Sequence, residues 1–136
     1  MSMMRASVEL LRRVPIFGSL STAELQRVVD APDNVVVKRR AGDLIVAEND
    51  IADCMYIVLD GAVDVRITAV GGREITIATL KAGEFFGEQA LLPGSTGRRN
   101  ATVRALSACS LFRITKGDVA LGLARADDVT LSGVPD

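Results

Sequence analysis

The sequence predicts a mainly β fold: an eight-stranded β-barrel or jelly roll with helices before it, a short helix within it and a short helix after it. From residue 34 onward, Val and Ile recur at every second position in short runs, which is typical of half-buried strands. Glycine-containing turn signals separate these runs, and many short strands at regular spacing are typical of barrels and jelly rolls. The runs are VVVKRR, LIVA, MYIVL, AVDVRIT, EITIATL, ATVRAL and CSLFRI.

The chain of 136 residues is long enough for one domain. We expect a helical segment at about 5–32, a barrel at about 34–115 and a short helix with a tail at about 116–136. In the helical segment, ASVELLRRV has apolar residues at helical spacing until Pro15 stops it. STAELQRVVD opens with Ser21 and has Glu24 three positions later, which is a capping-box pattern, and Pro32 ends it.

Two further segments carry local predictions. Asp60–Gly61, between MYIVL and AVDV, is the strongest local signal for a β-hairpin. After Ile114, TKGDVALGLARADD predicts a short helix interrupted by Gly122. The final VTLSGVPD lacks periodicity and predicts a loose tail.

The composition excludes several classes of function. Without histidine, the chain cannot support Ser-His-Asp or Cys-His catalysis or a histidine metal site, and two cysteines alone cannot close a zinc site. No carboxylates are paired as general acid–base catalysis requires, so we expect no enzyme, metal or cofactor. A net charge of −1 gives no field towards nucleic acid, and no apolar run has the length of a membrane span. Cys54 and Cys109 lie on predicted strands, so buried free thiols in a reducing cytoplasm are the simplest interpretation.

The longest break in the strand pattern is FGEQALLPGSTGRRNATV, from Phe86 to Val103. EQALL predicts one helical turn, and Gly87 before it allows the backbone to approach a ligand closely. The first N–H groups of such a turn and the arginines Arg98 and Arg99 suit a phosphate, while Glu88 can accept hydrogen bonds from sugar hydroxyls. Together they indicate a nucleotide-sized ligand. The alternative is that Glu88 pairs with one of the two arginines at the surface of an ordinary loop.

The same stretch resembles the phosphate-binding cassette of the cyclic nucleotide-binding domain family. The matching residues are Phe86-Gly87-Glu88, Gln89, Ala90-Leu91, a loop LPGSTGR, and Arg99-Asn100-Ala101-Thr102-Val103. RRVPIFGSLSTAEL resembles the helical start of that family, and RRAGDLIVAENDIADCMYIVLDGAVDV resembles its early strands. The resemblance runs from about Leu10 to about Asp118.

The resemblance implies a binding site for a 3′,5′-cyclic nucleotide, cAMP or cGMP, with a slight preference for cAMP. Glu88 would accept a hydrogen bond from the ribose 2′-hydroxyl, and Arg99 would pair with the cyclic phosphate. Arg98 would face solvent, with the alternative that it replaces or supplements Arg99. Phe86 would pack below the site. The N–H groups of four residues would line the phosphate pocket: Gly87, Ala90, Leu91 and Ala101. Asn100 and Thr102 complete the implied site.

The resemblance also implies a regulatory role, in which binding shifts a conformational equilibrium that an effector domain, a partner protein or a homodimer detects. No helix-turn-helix follows the predicted barrel, so we expect no direct DNA binding, and we expect no membrane partner. The alternative is a ligand-independent interaction or structural domain with a degenerate site. A cassette loop about two residues longer than the common form and a short C-terminal segment favour this alternative. The presence of both Glu88 and Arg99 argues against it.

Overall fold

The computed structural model describes residues 5–133, with side chains described as far as Arg125. It has three α-helices, two 3₁₀ turns and eight strands. In chain order these are α1 (Val8–Arg12), a 3₁₀ turn (Pro15–Phe17), α2 (Thr22–Asp30), β1 (Val35–Arg39), β2 (Leu44–Val46), β3 (Cys54–Asp60), β4 (Ala62–Thr68), β5 (Glu74–Lys81), β6 (Phe85–Phe86), a second 3₁₀ turn (Gln89–Leu91), β7 (Thr102–Ala105), β8 (Cys109–Thr115) and α3 (Lys116–Gly133).

The strands form two antiparallel four-stranded sheets, ordered β1-β8-β3-β6 and β2-β7-β4-β5. This confirms the jelly roll, and the alternative of a closed barrel is wrong because each sheet ends in strands with an open edge. The hairpin predicted at Asp60–Gly61 is also wrong, since β3 and β4 belong to different sheets. Gly61 has a φ of +77° and lies against Ala108 and Cys109, so this turn is a corner between sheets.

Two hydrophobic cores explain why the MYIVL run is buried throughout. Alternate residues of β3, including Met55 and Ile57, pack with α1, α2 and the first 3₁₀ turn. The intervening residues, including Tyr56 and Val58, face the other sheet and pack with β4, β7 and β8. A strand covered on both faces reads as a continuous apolar run.

The capping box predicted at the start of α2 is present. The Ser21 Oγ accepts a hydrogen bond from the Glu24 N–H at 3.1 Å, and the Ser21 N–H donates to the Glu24 Oε1 at 3.0 Å. The second carboxylate oxygen of Glu24 accepts a hydrogen bond from the Arg125 Nε at 2.8 Å. The cap of α2 is therefore also an attachment point for α3.

The predictions of a short C-terminal helix interrupted by glycine and of a loose tail are wrong for the described residues, because α3 continues to Gly133. Residues 134–136 of the predicted tail lie outside the described residues. Gly122 lies inside α3, where a Cβ would come within 2.6 Å of the Ile16 carbonyl oxygen and 2.9 Å of the Phe17 Cδ1. Glycine thus allows α3 to pack closely on the first 3₁₀ turn. This long-range contact outweighs the low helix propensity of glycine.

Gly122→Ala is expected to destabilise the protein by up to about 2 kcal/mol, although alanine favours helix formation. Overpacking against the Ile16 backbone costs about 1–3 kcal/mol, and the gain in helix propensity offsets about 1 kcal/mol of this cost. Gly117→Ala is the matched control, because it lies in the same helix and a Cβ there meets nothing within 4 Å. Denaturant unfolding that shows equal effects for both variants would contradict the close packing of α3.

Candidate functional site

The segment around Glu88 connects β6 of one sheet to β7 of the other. Phe86 ends β6, where it pairs with Tyr56 of β3, and Gly87 leaves the strand with a φ of +90°. The second 3₁₀ turn follows at Gln89–Leu91, where the sequence predicts one helical turn. The chain then loops back to Arg98 and Arg99 just before β7. The loop therefore brings Gly87 and Glu88 next to Arg99.

Arg99 is a buried cation whose hydrogen-bond acceptors are neutral. It is 5% exposed; its Nη1 donates to the Gly87 carbonyl at 3.2 Å, and its Nη2 donates to the Cys54 carbonyl at 2.7 Å. Backbone bonds to Asp50 and Asn49, at 2.7 and 2.8 Å, fix its main chain. No carboxylate of the described chain lies within ion-pair distance of the guanidinium. A buried charge without a counter-ion is costly, so this site favours an anion.

Gly87 makes room for the guanidinium. A Cβ on Gly87 would lie 2.5 Å from the Arg99 Nη1 and 3.5 Å from the Cys54 carbonyl oxygen. The left-handed backbone at this position also disfavours any residue with a side chain. The glycine is therefore required both for the turn and for the position of Arg99.

Glu88 is half-buried, and its carboxylate has no hydrogen bond or ion pair with any residue that the structure describes. The alternative of a surface pair between Glu88 and an arginine is therefore wrong. Arg98 is exposed, and its Nη1 donates to the Asn49 carbonyl at 3.0 Å. Because neighbouring side chains of an extended segment point to opposite sides, Arg98 faces out where Arg99 faces in.

A cavity of about 320 Å³ lies between the 3₁₀ turn and the sheet that contains β4 and β5. Its polar end contains Glu88 and Arg99, and its opposite wall is apolar. It brings together seven of the predicted site residues: Phe86, Gly87, Glu88, Ala90, Arg99, Asn100 and Ala101. The N–H groups of Gly87, Ala90 and Ala101 make no backbone hydrogen bond within the described part of the chain.

Three predicted site residues lie outside the cavity. Leu91 is buried in the core beneath the turn, and its N–H donates to the Glu88 carbonyl at 3.0 Å, so the expectation that this N–H lines a phosphate pocket is wrong. Arg98 faces outward. The buried Thr102 accepts a hydrogen bond at Oγ1 from the Glu48 N–H at 3.0 Å, which supports the start of β7.

Five cavity residues were not predicted: Val65, Ile67, Ile77, Phe85 and Gln89. Val65 and Ile67 could have been found from the alternation of β4, which places them on the same face as the buried Val63. Gln89 accepts a hydrogen bond at Oε1 from the Asn100 Nδ2 at 2.8 Å. This bond joins the two ends of the loop at the rim of the cavity.

Tyr56 and Phe86 form a stacked pair beneath the polar end, with ring centroids 5.2 Å apart and an interplanar angle of 20°. Burial, followed by the neighbouring Cys54 thiol, raises the pKa of Tyr56 to about 12. The Cys54 Sγ lies 3.5 Å from the Arg99 Nη2. Both cysteines are buried free thiols, as predicted.

Tyr56 is the only tyrosine and the chain has no tryptophan, so its ionisation can be followed by tyrosinate absorbance. We expect it to ionise near pH 12 in the folded protein and near pH 10 in denaturant. Because the folded-state pKa is raised, this burial stabilises the protein fully below pH 10, and the contribution is lost as pH rises to 12. Titration near pH 10 in protein that remains folded would contradict the described environment.

Within residues 5–133, no helix combines the length and the apolar character that crossing a membrane requires. Among the side chains described, those of residues 5–125, no three His, Cys, Asp or Glu come together as a metal site would need.

Comparison with known proteins identifies the family. The sequence model described as "Cyclic nucleotide-binding domain" matches residues 36–125. A cAMP-dependent protein kinase regulatory subunit of Schizosaccharomyces pombe is 35% identical over 107 residues, which are 79% of this chain and 24% of that protein. Isozyme 1 of the cGMP-dependent protein kinase of Drosophila melanogaster is 32% identical over 103 residues, which are 74% of this chain and 13% of that protein.

The regulatory domain of Toxoplasma gondii PKA, solved with cAMP, is similar with a TM-score of 0.80 and 28% identity, covering 91% of this chain and 46% of that one. The chain thus spans about a quarter or less of the two full-length relatives. The family match covers the cavity, the second 3₁₀ turn and both arginines, and the chain belongs to the cyclic nucleotide-binding domain family.

Proposed function

We propose that this domain binds a 3′,5′-cyclic nucleotide in the cavity between the 3₁₀ turn and β4–β5, and that it acts as a regulatory sensor. The observation that carries the proposal is the buried, unneutralised Arg99 beside the unpaired Glu88 carboxylate on one cavity. One group requires an anion, and the other accepts hydrogen bonds from hydroxyl groups. A cyclic nucleotide offers both in adjoining positions.

The phosphate is assigned to the end of the cavity at Arg99. The guanidinium supplies the charge, and the unbonded N–H groups of Gly87, Ala90 and Ala101 supply further donors. The ribose is assigned to Glu88, whose carboxylate would accept the 2′-hydroxyl. The base then lies along the apolar wall of Val65, Ile67 and Ile77.

A preference for cAMP is supported by the apolar wall, which offers no polar side chain to recognise guanine, and by the similarity to the yeast and Toxoplasma proteins that are named for cAMP. Asn100 is exposed and bonded to Gln89, so it does not discriminate between the two bases. We propose a cytoplasmic, non-enzymatic role in which an effector domain, a partner protein or a second copy receives the signal.

The 3₁₀ turn of the cassette packs in the same hydrophobic core as α3. Leu91 of the 3₁₀ turn packs in the same core as Val119 of α3, with Leu121 and Leu123 against it. A nucleotide that draws Ala90 and Arg99 together would move the turn, and this movement would be transmitted to α3. Ligand-dependent repositioning of α3 is thus the proposed output.

The assignment of the ribose is tested with Glu88→Gln and two ligands. Glu88→Gln should weaken cAMP binding by about tenfold or more, since a hydrogen bond to a charged group contributes about 1.5–3 kcal/mol. Binding of 2′-deoxy-cAMP, which lacks the hydroxyl, should be weak for both proteins and equal between them. If Glu88→Gln weakens both ligands by the same factor, Glu88 does not bind the 2′-hydroxyl.

A further inference from the structure

β5 (Glu74–Lys81) is the longest strand of the described chain and lies at an open edge of its sheet. On its other side it pairs with β4, and no strand within residues 5–133 covers its outer edge. Ile75 and Ile77 are 46% and 55% exposed. A long, exposed, apolar strand edge presents unpaired N–H and C=O groups that another strand can bind.

A β-bulge sets which residues of β5 share a face. Thr76 lies opposite Arg66 and Ala78 lies opposite Val65, so Ile77 is the extra residue. As a result, Ile75 and Leu80, opposite Ile67 and Val63, both lie on the cavity side of the sheet. Four residues share the outer face: Glu74, Thr76, Thr79 and Lys81.

We propose that β5 pairs with β5 of a second copy of this chain, antiparallel, about a two-fold axis between Ile77 and Ala78. This register places Glu74 opposite Lys81 of the partner copy, and places Lys81 opposite Glu74 of the partner copy. It also pairs Thr76 with Thr79 on the outer face and Ile75 with Leu80 on the cavity face. In all three pairings the two residues lie on the same face of the sheet. The bulge is needed for this, because in a regular strand the two residues of each pair would lie on opposite faces.

The backbone directions fit the same register. The Ala62 carbonyl accepts hydrogen bonds from the Leu106 and Ser107 N–H groups, so Ala62 faces away from β5. Its partner Lys81 therefore faces away from β4, and the Lys81 N–H indeed donates to the Glu84 Oε1 at 3.0 Å.

Alternation along the strand points the backbone groups of Thr79 outward, and the extra residue Ile77 shifts the alternation so that those of Thr76 also point outward. The proposed pairing brings these outward groups together, and it places the inward-directed Ile75 and Leu80 at a position without inter-copy backbone bonds.

Charge complementarity identifies a second copy as the occupant. Glu74 and Lys81 are both exposed, at the two ends of the strand. Glu74 has only an exposed contact of 3.7 Å with the Arg66 Nη1, and Lys81 has no ion pair within the described residues. In a two-fold dimer the opposite-charge pair occurs twice. The interface is small, so the dimer is expected to be weak and dependent on concentration.

Charge reversal with rescue tests the proposal, using the full chain without nucleotide and sedimentation velocity up to millimolar protein. Wild type should be a monomer–dimer equilibrium. Glu74→Lys and Lys81→Glu should each weaken the dimer by about tenfold, because each creates two like-charge pairs. The double variant has the wild-type net charge and should restore the dimer. A monomer at every concentration, or single variants that dimerise like wild type, would overturn the proposal.

A backbone variant tests the same edge without changing charge. Thr76→Pro removes an outward N–H at an edge position where proline is tolerated, and it should abolish the dimer. Thr76→Val keeps that N–H and should retain it. Circular dichroism establishes that each variant is folded. A folded Thr76→Pro protein that still dimerises would contradict pairing through β5.

Discussion

Replacing Arg99 with alanine is expected to weaken cyclic nucleotide binding by at least about tenfold, whereas Arg98→Ala should change affinity little. A charge-assisted bond contributes about 1.5–3 kcal/mol, and about 1.4 kcal/mol corresponds to a factor of ten. Arg99 is buried at the polar end of the cavity, but Arg98 is exposed and bonded to the Asn49 carbonyl. Isothermal titration calorimetry with cAMP measures the difference.

Because the Arg99 guanidinium also holds the Gly87 and Cys54 carbonyls, its loss affects the fold as well as the ligand. Arg99→Lys is therefore informative, since lysine keeps the charge but lacks the planar fork. We expect it to bind more weakly than wild type and more tightly than Arg99→Ala. If Arg98→Ala causes the larger loss, Arg98 is the phosphate ligand and the assignment of the two arginines is reversed.

The second large effect is expected for Gly87→Ala, which should lower nucleotide affinity by about tenfold while leaving the protein folded. The new Cβ would lie 2.5 Å from the Arg99 Nη1, so the guanidinium must move away from its position. The end of a long side chain moves at little cost in stability, but the loss of one charge-assisted bond to a ligand costs about a decade in affinity. The positive φ adds strain of about 1–2 kcal/mol.

Gly94→Ala is the matched control for the backbone strain. Gly94 lies in the same loop with a φ of +83°, and a Cβ there meets nothing within 4 Å. Both variants should lose similar stability in thermal unfolding, and only Gly87→Ala should lose affinity. Equal affinities for both variants would show that the position of the guanidinium does not control binding.

The parts of the fold that could be predicted depend on local patterns. The alternation of apolar residues locates the strands, and Ser21 with Glu24 identifies the start of α2. The two sheets of the jelly roll and the turn at Gln89–Leu91 are as predicted, because the glycine turns and the cassette motif that indicate them each consist of residues close together in the sequence. Seven predicted site residues before and after the loop line one cavity, because they belong to the same motif.

The parts that could not be predicted depend on distant contacts. Asp60–Gly61 has the composition of a hairpin, but packing of Gly61 against Ala108 makes it a corner between sheets. Glycine disfavours a helix interior, but at Gly122 the close packing on Phe17 keeps α3 continuous. The apolar wall of the cavity required knowledge of which strands lie next to the cassette.

The described length of α3 also bears on the alternative of a ligand-independent domain. A short, interrupted C-terminal helix favours that alternative, but α3 is continuous from Lys116 to Gly133. The longer cassette loop remains, but its glycines, Gly94 and Gly97, lie where a Cβ would meet nothing within 4 Å. None of residues 92–98 lines the cavity, so the extra length does not close it.

Calorimetric titration of the wild-type chain with cAMP, and with cGMP in parallel, tests the central claim most directly. We expect saturable binding of one nucleotide per chain, tighter for cAMP than for cGMP, with a matching rise in the unfolding temperature. The absence of both heat and thermal stabilisation at millimolar concentrations of either nucleotide would contradict the proposed function.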